Sequence, residues 1–148
     1  MVHIDSRLES LPVSADLIDA AARGALALQA TEGNLTVVLT DDAHLRELNL
    51  EYLGIDQPTD VLSFPASETD PDSGEAYLGD VIISVPRAEM QAGAAGHSLG
   101  GELQLLVVHG VLHLLGHDHA EPGARAGMWA AQATVLRRLG LQDIVIPE

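Results

Sequence analysis

A chain of 148 residues with 47% apolar content suits one domain on one core, filled by Ala, Leu and Val rather than by aromatics (3%). The absence of cysteine excludes a disulfide framework, thiolate catalysis and thiolate metal sites. Twenty-two acidic residues against seven arginines and no lysine give a formal charge of −15, which argues against simple electrostatic capture of nucleic acid. The first residues lack the apolar core of a signal peptide, and no apolar run approaches the roughly 18 residues of a membrane span, so a soluble cytoplasmic protein is expected.

Residues 1–12 read as a short strand closed by a turn at Pro12. Residues 15–30 predict a helix with Leu17, Ile18, Ala21, Ala25 and Leu28 as its apolar stripe and Gly33 beyond its end. The β-branched content of residues 34–40 predicts a strand. Thr40, Asp41 and Asp42 offer N-cap chemistry for a helix through about Leu50, whose Leu45 and Leu48 pack on the sheet.

Residues 51–65 predict a glycine-containing loop and a short strand around residues 61–64, stopped by Pro65. The acidic residues of 66–76 follow no EF-hand order, and this stretch reads as a mobile solvated loop. Residues 77–85 are the clearest strand. Asp80 near its start either bonds a loop, contacts substrate or orients a metal-ligating histidine. Pro86 opens a helix to about Ala92, broken by Gly93 and Gly96, and Ser98 is placed to cap the next one.

That next helix carries the chemistry. Residues 102–115 form an apolar run too long for a typical strand, and His109 and His113 share one face a turn apart. Two imidazoles so spaced can hold one metal ion, as in zinc hydrolases. Gly116 suits the left-handed residue that ends a helix. Were the helix to continue, His117 would lie about 12 Å from His109, beyond the reach of one ion. A third ligand must therefore follow the turn: His119 first, His117 or Asp118 as alternatives. The spacing is also that of metzincin peptidases, but Gly110 stands where they carry their general-base glutamate.

Pro122 opens a last helix over about residues 123–139, with Met128, Trp129, Ala133 and Leu136 as its apolar set. Arg137 and Arg138 in its last turn complement the helix dipole, and Gly140 closes it. His3, His44 and His97 are isolated and receive no role.

The stretch from His109 to His119 closely resembles the signature H-G-x-L-H-L-x-G-x-D-H of the YbeY family of bacterial rRNA-maturation endoribonucleases. His109, Gly110, Leu112, His113, Leu114, Gly116, Asp118 and His119 match it. More than forty residues upstream, Pro58-Thr59-Asp60-Val61-Leu62-Ser63-Phe64-Pro65 is similar to a second family signature, and Gly79-Asp80 matches a third segment. The chain departs from the pattern at Leu53, where family members commonly carry arginine.

The resemblance implies one zinc ion held by His109, His113 and His119, with His117 at a variable position. Zinc-bound water is then the attacking group, and the leaving oxygen needs a proton donor that the sequence does not identify, with His117 or solvent as candidates. Ser63, Asp80, Arg46 and Arg87 are the candidate substrate contacts. It further implies ribosomal RNA as substrate, and a small-subunit ribosomal protein and a ribosome-assembly GTPase as partners, with the acidic surface suited to basic proteins. Three to four strands and about five helices give a single α+β domain over residues 1–148, and the resemblance makes the sheet mixed and flanked by helices. Leu53 and the negative charge keep a second reading in view: a non-catalytic ribosome-assembly protein with a structural or vestigial zinc site.

Overall fold

The computed structural model describes residues 1–117, 121–144 and 146. Among them the chain forms β1 (Val2–Ser6), α1 (Ala15–Leu28), β2 (Asn34–Thr40), α2 (Asp42–Leu53), β3 (Val61–Thr69), β4 (Ala76–Ser84), α3 (Val85–Ala95), α4 (Leu99–Leu114) and α5 (Pro122–Arg138). The strands make one sheet in the order β1-β2-β4-β3. β2 pairs parallel with β1 and β4, and β3 pairs antiparallel with β4, so the sheet is mixed and the fold α+β, as expected. No helix among the described residues is long and apolar enough to cross a membrane.

Alternation along the strands decides which helices lie on which face. Leu35, Val37 and Leu39 of β2 and Val81 and Ile83 of β4 point to one side, into the core shared with α1, α4 and α5. Val38 and Ile82 point to the other, where Leu45 and Leu48 of α2 and Leu62 and Phe64 of β3 cover them. α4 is apolar almost all round because it lies beneath other elements on most sides. Its Leu103, Val107, Val108, Val111 and Leu112 are fully buried, each contributing about 1.5–3 kcal/mol. Ser98 caps this helix by accepting from the Gly101 amide at 3.0 Å.

Several boundaries differ from expectation. β3 continues past Pro65 to Thr69. It is an edge strand with a register shift between Pro65 and Glu68, and such a place tolerates a residue without an N–H. Residues 66–76 are therefore mostly hairpin rather than loop. Its turn is ordered by Asp70, whose carboxylate accepts from the amides of Asp72 at 2.8 Å and Ser73 at 3.2 Å. Gly93 does not break α3, which ends at the left-handed Gly96. α2 runs on to Leu53 before Gly54 caps it. Leu17 is 38% exposed, and Ala22 and Leu26 occupy the buried stripe of α1 instead.

The N-termini of α2 and α3 are tied through Asp42, which accepts from Ser84 Oγ at 2.6 Å and from Arg87 Nε at 3.2 Å. The Ser84 bond first, then the Arg87 guanidinium, holds the Asp42 carboxyl below its ordinary 3.8 against the opposing effect of burial. A depressed carboxyl adds stability that is complete above the unfolded-state value and vanishes as pH falls through the folded-state value. Asp42→Asn is therefore expected to lower the melting temperature at neutral pH and to flatten its fall below pH about 4. Melting curves of both proteins across that range check this.

Candidate metal centre

α4 ends in a Schellman turn. The amide of Gly116 donates to the His113 carbonyl at 3.1 Å and that of His117 to the Leu112 carbonyl at 3.0 Å. Gly116 itself has φ +99°, the conformation that the sequence expectation required. His109 and His113 project from the half-buried face of this last stretch of helix, their ring centroids 5.0 Å apart and their planes at 66°.

Gly110 explains how the helix reaches the sheet so closely. A Cβ there would collide with Val81 Cγ1 and come within 3.2 Å of Ser63 Oγ. The Ser63 hydroxyl instead donates to the Gly110 carbonyl at 2.9 Å, joining β3 to α4. The position after the first histidine thus faces β-sheet, and a glutamate there would lift the helix off its support. This speaks against the peptidase alternative in terms of space as well as of residue type.

His109 is oriented from α5. Its Nδ1 lies 2.8 Å from Oε1 of Gln132, so the ring donates there, and the neutral ring then has its lone pair on Nε2, the arrangement that metal-ligating histidines take. Two imidazoles a turn apart, one already oriented by a neighbouring oxygen, fit zinc's preference for nitrogen ligands. Among the described residues no group of three His, Cys, Asp or Glu side chains assembles for a metal ion. His119, the expected third ligand, and Asp118, one alternative, lie outside the described residues. His117 is half-buried just past the turn.

His109 and Gln132 form part of the wall of a cavity of about 700 Å³ that also meets Asp60, His97, Glu102, Arg125 and Trp129. The Trp129 ring stands edge-on to His109 with centroids 6.1 Å apart. The Arg125 guanidinium lies 5.1 Å above the Trp129 ring. Farther along the wall, His97 Nε2 is 2.5 Å from a carboxylate oxygen of Glu102, which is only 3% exposed.

The four candidate substrate contacts are placed elsewhere or otherwise engaged. Arg46 forms a two-pronged pair with Asp56 at 2.6 and 3.1 Å, which holds the Asp56 carboxyl below its usual range. Arg87 is paired with Asp42, and neither arginine lines the cavity. Asp80 accepts from the Tyr77 hydroxyl and lines a separate cavity with Val38, Leu48 and Ile82, on the sheet face away from α4. Ser63 bonds the Gly110 carbonyl of α4, so its hydroxyl seats the helix. Leu53 is 61% exposed at the end of α2.

Sequence reasoning missed four residues of this wall. Arg125 and Gln132 have no role in the sequence reading of the last helix, whose apolar stripe takes in Ala133 instead. The structure buries Met128, Gln132, Val135 and Leu136 and leaves Ala133 exposed. His97 was judged isolated, yet its partner Glu102 lies five residues along. A charged residue inside an otherwise apolar helix was the available signal.

A family model described as Endoribonuclease YbeY matches residues 4–140. An endoribonuclease YbeY of Moorella thermoacetica is 44% identical over 94% of this chain and 97% of its own length. That of Pelotomaculum thermopropionicum is 50% identical over 74% of each. The solution structure of a Thermotoga maritima protein covers 99% of this chain and 98% of its own with a TM-score of 0.59 at 23% identity, which shows the same fold. With a match running from within β1 to two residues past α5 and taking in the histidine-bearing turn, the chain belongs to the endoribonuclease YbeY family.

Proposed function

We propose that the chain is a zinc-dependent endoribonuclease that cuts single-stranded stretches of ribosomal RNA during its maturation and so serves ribosome assembly. The observation that carries this reading is the His109–His113 pair, His109 set on the wall of a cavity and oriented by Gln132. His109, His113 and His119 would hold the ion. When bound, zinc supplies acidified water as a nucleophile and offsets charge on the scissile phosphate.

The chain's own residues supply the rest. Trp129 stands beside His109 on the cavity wall with Arg125 over its ring, so an unstacked base entering the cavity would meet an aromatic–guanidinium pair, a contact open to single strands rather than to duplex. Arg125, held over that ring, brings a cation to an otherwise acidic molecule and can meet a phosphate oxygen. Ser63 fixes the height of α4 on the sheet through Gly110 and thereby the position of both histidines. His117, just beyond the turn, is the candidate proton donor to the leaving oxygen. By family resemblance the partners are a small-subunit ribosomal protein and a ribosome-assembly GTPase, and a net charge of −15 suits docking on basic ribosomal proteins.

Stripping the protein with a chelator is expected to lower cleavage of a single-stranded RNA by roughly 100-fold or more. One equivalent of zinc should restore it, and a duplex of the same sequence should resist throughout. Cleavage unaffected by stripping, or equal on both substrates, would refute the proposal.

A further inference from the structure

We infer that Gln132 is a positioning residue that selects the tautomer of His109 and so presents Nε2 of that ring to the metal. The inference rests on the zinc reading above. Gln132 lies on α5 with no exposure at all, on the face that also buries Met128, Val135 and Leu136. A primary amide is a poor choice for filling such a place, because every polar atom left without a partner there is penalised. A leucine or methionine of similar volume would fill it without that penalty.

The amide is only half satisfied. Oε1 meets His109 Nδ1 at 2.8 Å, whereas Nε2 has no hydrogen-bond partner among the described residues. A buried donor left orphaned calls for a reason, and packing does not provide one. The bond to the imidazole does. With the oxygen toward His109, the ring must carry a proton on Nδ1, and the neutral ring then has its lone pair on Nε2. Turned over, the amide would donate to Nδ1, move the ring proton to Nε2 and close that nitrogen to a metal. The orientation present is therefore the one that serves ligation. A neutral amide does so without adding another negative charge to a wall that already holds Asp60 and Glu102.

Two substitutions and three readouts test this. Gln132→Met keeps the volume and removes both amide atoms; Gln132→Glu keeps the acceptor. In metal-free wild-type protein, long-range 1H–15N correlation spectra should show His109 protonated at Nδ1. Gln132→Met should shift the ring toward the Nε2-protonated form and weaken zinc affinity, measured by chelator competition, by roughly 10- to 100-fold. Its metal-free melting temperature should hold or rise, since an orphaned donor has gone. Gln132→Glu should preserve both the tautomer and the affinity.

Wild-type spectra and wild-type zinc affinity in Gln132→Met would overturn the assignment. So would a loss of affinity matched by a lowered metal-free melting temperature with the tautomer unchanged, the mark of a merely structural role. Should Gln132→Glu fail to fold, Gln132→Met decides alone. If wild-type protein takes up no zinc, the functional reading fails. The His109 tautomer in the metal-free protein would still decide whether Gln132 sets it.

Discussion

His113→Ala is expected to lower RNA cleavage by roughly a thousandfold or more and to abolish stoichiometric zinc uptake. The estimate follows from a metal ion's share of transition-state charge stabilisation, several kcal/mol, at about 1.4 kcal/mol per factor of ten. His113 stands one helical turn from His109, with ring centroids 5.0 Å apart. Its removal leaves a single imidazole before the turn at Gly116, too few ligands for zinc with any one residue beyond it. Stability should barely change, by about 1 kcal/mol at most, since His113 is only partly buried and alanine favours the helix. Wild-type and variant proteins purified identically, assayed for cleavage, zinc content and melting temperature, check all three points. Equal residual cleavage in both would identify a contaminating nuclease and remove the enzyme reading.

Gly79→Ala is expected to be the most damaging single-methyl change to the fold, costing about 3 kcal/mol or more and lowering the melting temperature by roughly 6–12 °C. Gly79 has φ +135°, a conformation that residues with a side chain rarely adopt. It also sits where β3 shifts register, opposite Pro65. A Cβ there would strike the Phe64 carbonyl oxygen and lie 2.9 Å from Leu114 Cδ2. Leu114 is the last residue of α4 and follows His113 directly, so the strain would pass to the histidine-bearing end of the helix. Gly110→Ala should destabilise less, because its collision is with the Val81 side chain and alanine regains about 1 kcal/mol of helix propensity. Thermal unfolding of the two variants beside wild type gives the comparison; a Gly79→Ala protein as stable as wild type would remove the argument.

Much of this was legible in the residues because local and global signals agreed. The helix carrying His109 and His113, its Ser98 cap and its Gly116 terminator are all encoded within a few residues, and each formed as expected. What escaped was decided by tertiary context. Pro65 read as the end of a strand, since nothing local says that its strand lies at an edge. Gly93 read as a breaker, although Ala92 and Ala95 on either side are strong helix formers. Gln132 carries no signal in the sequence, since a polar residue in a helix ordinarily means exposure; its burial follows from how α5 lies across α4, which no window of sequence contains. The cavity had the same fate: its wall draws on β3, α3, α4 and α5 at once.

The continuation of β3 through Pro65 bears on self-association. A strand at the margin of a sheet offers a ladder of amides and carbonyls on which another polypeptide can build, the usual beginning of aggregation. Here that ladder is interrupted. Pro65 has no amide hydrogen to offer, the irregular register beside it bends the backbone out of line, and Glu68 adds a negative charge a few residues on. A molecule poor in aromatics and built largely from small aliphatic side chains thus carries, at this margin of its sheet, a safeguard against strand-to-strand polymerisation.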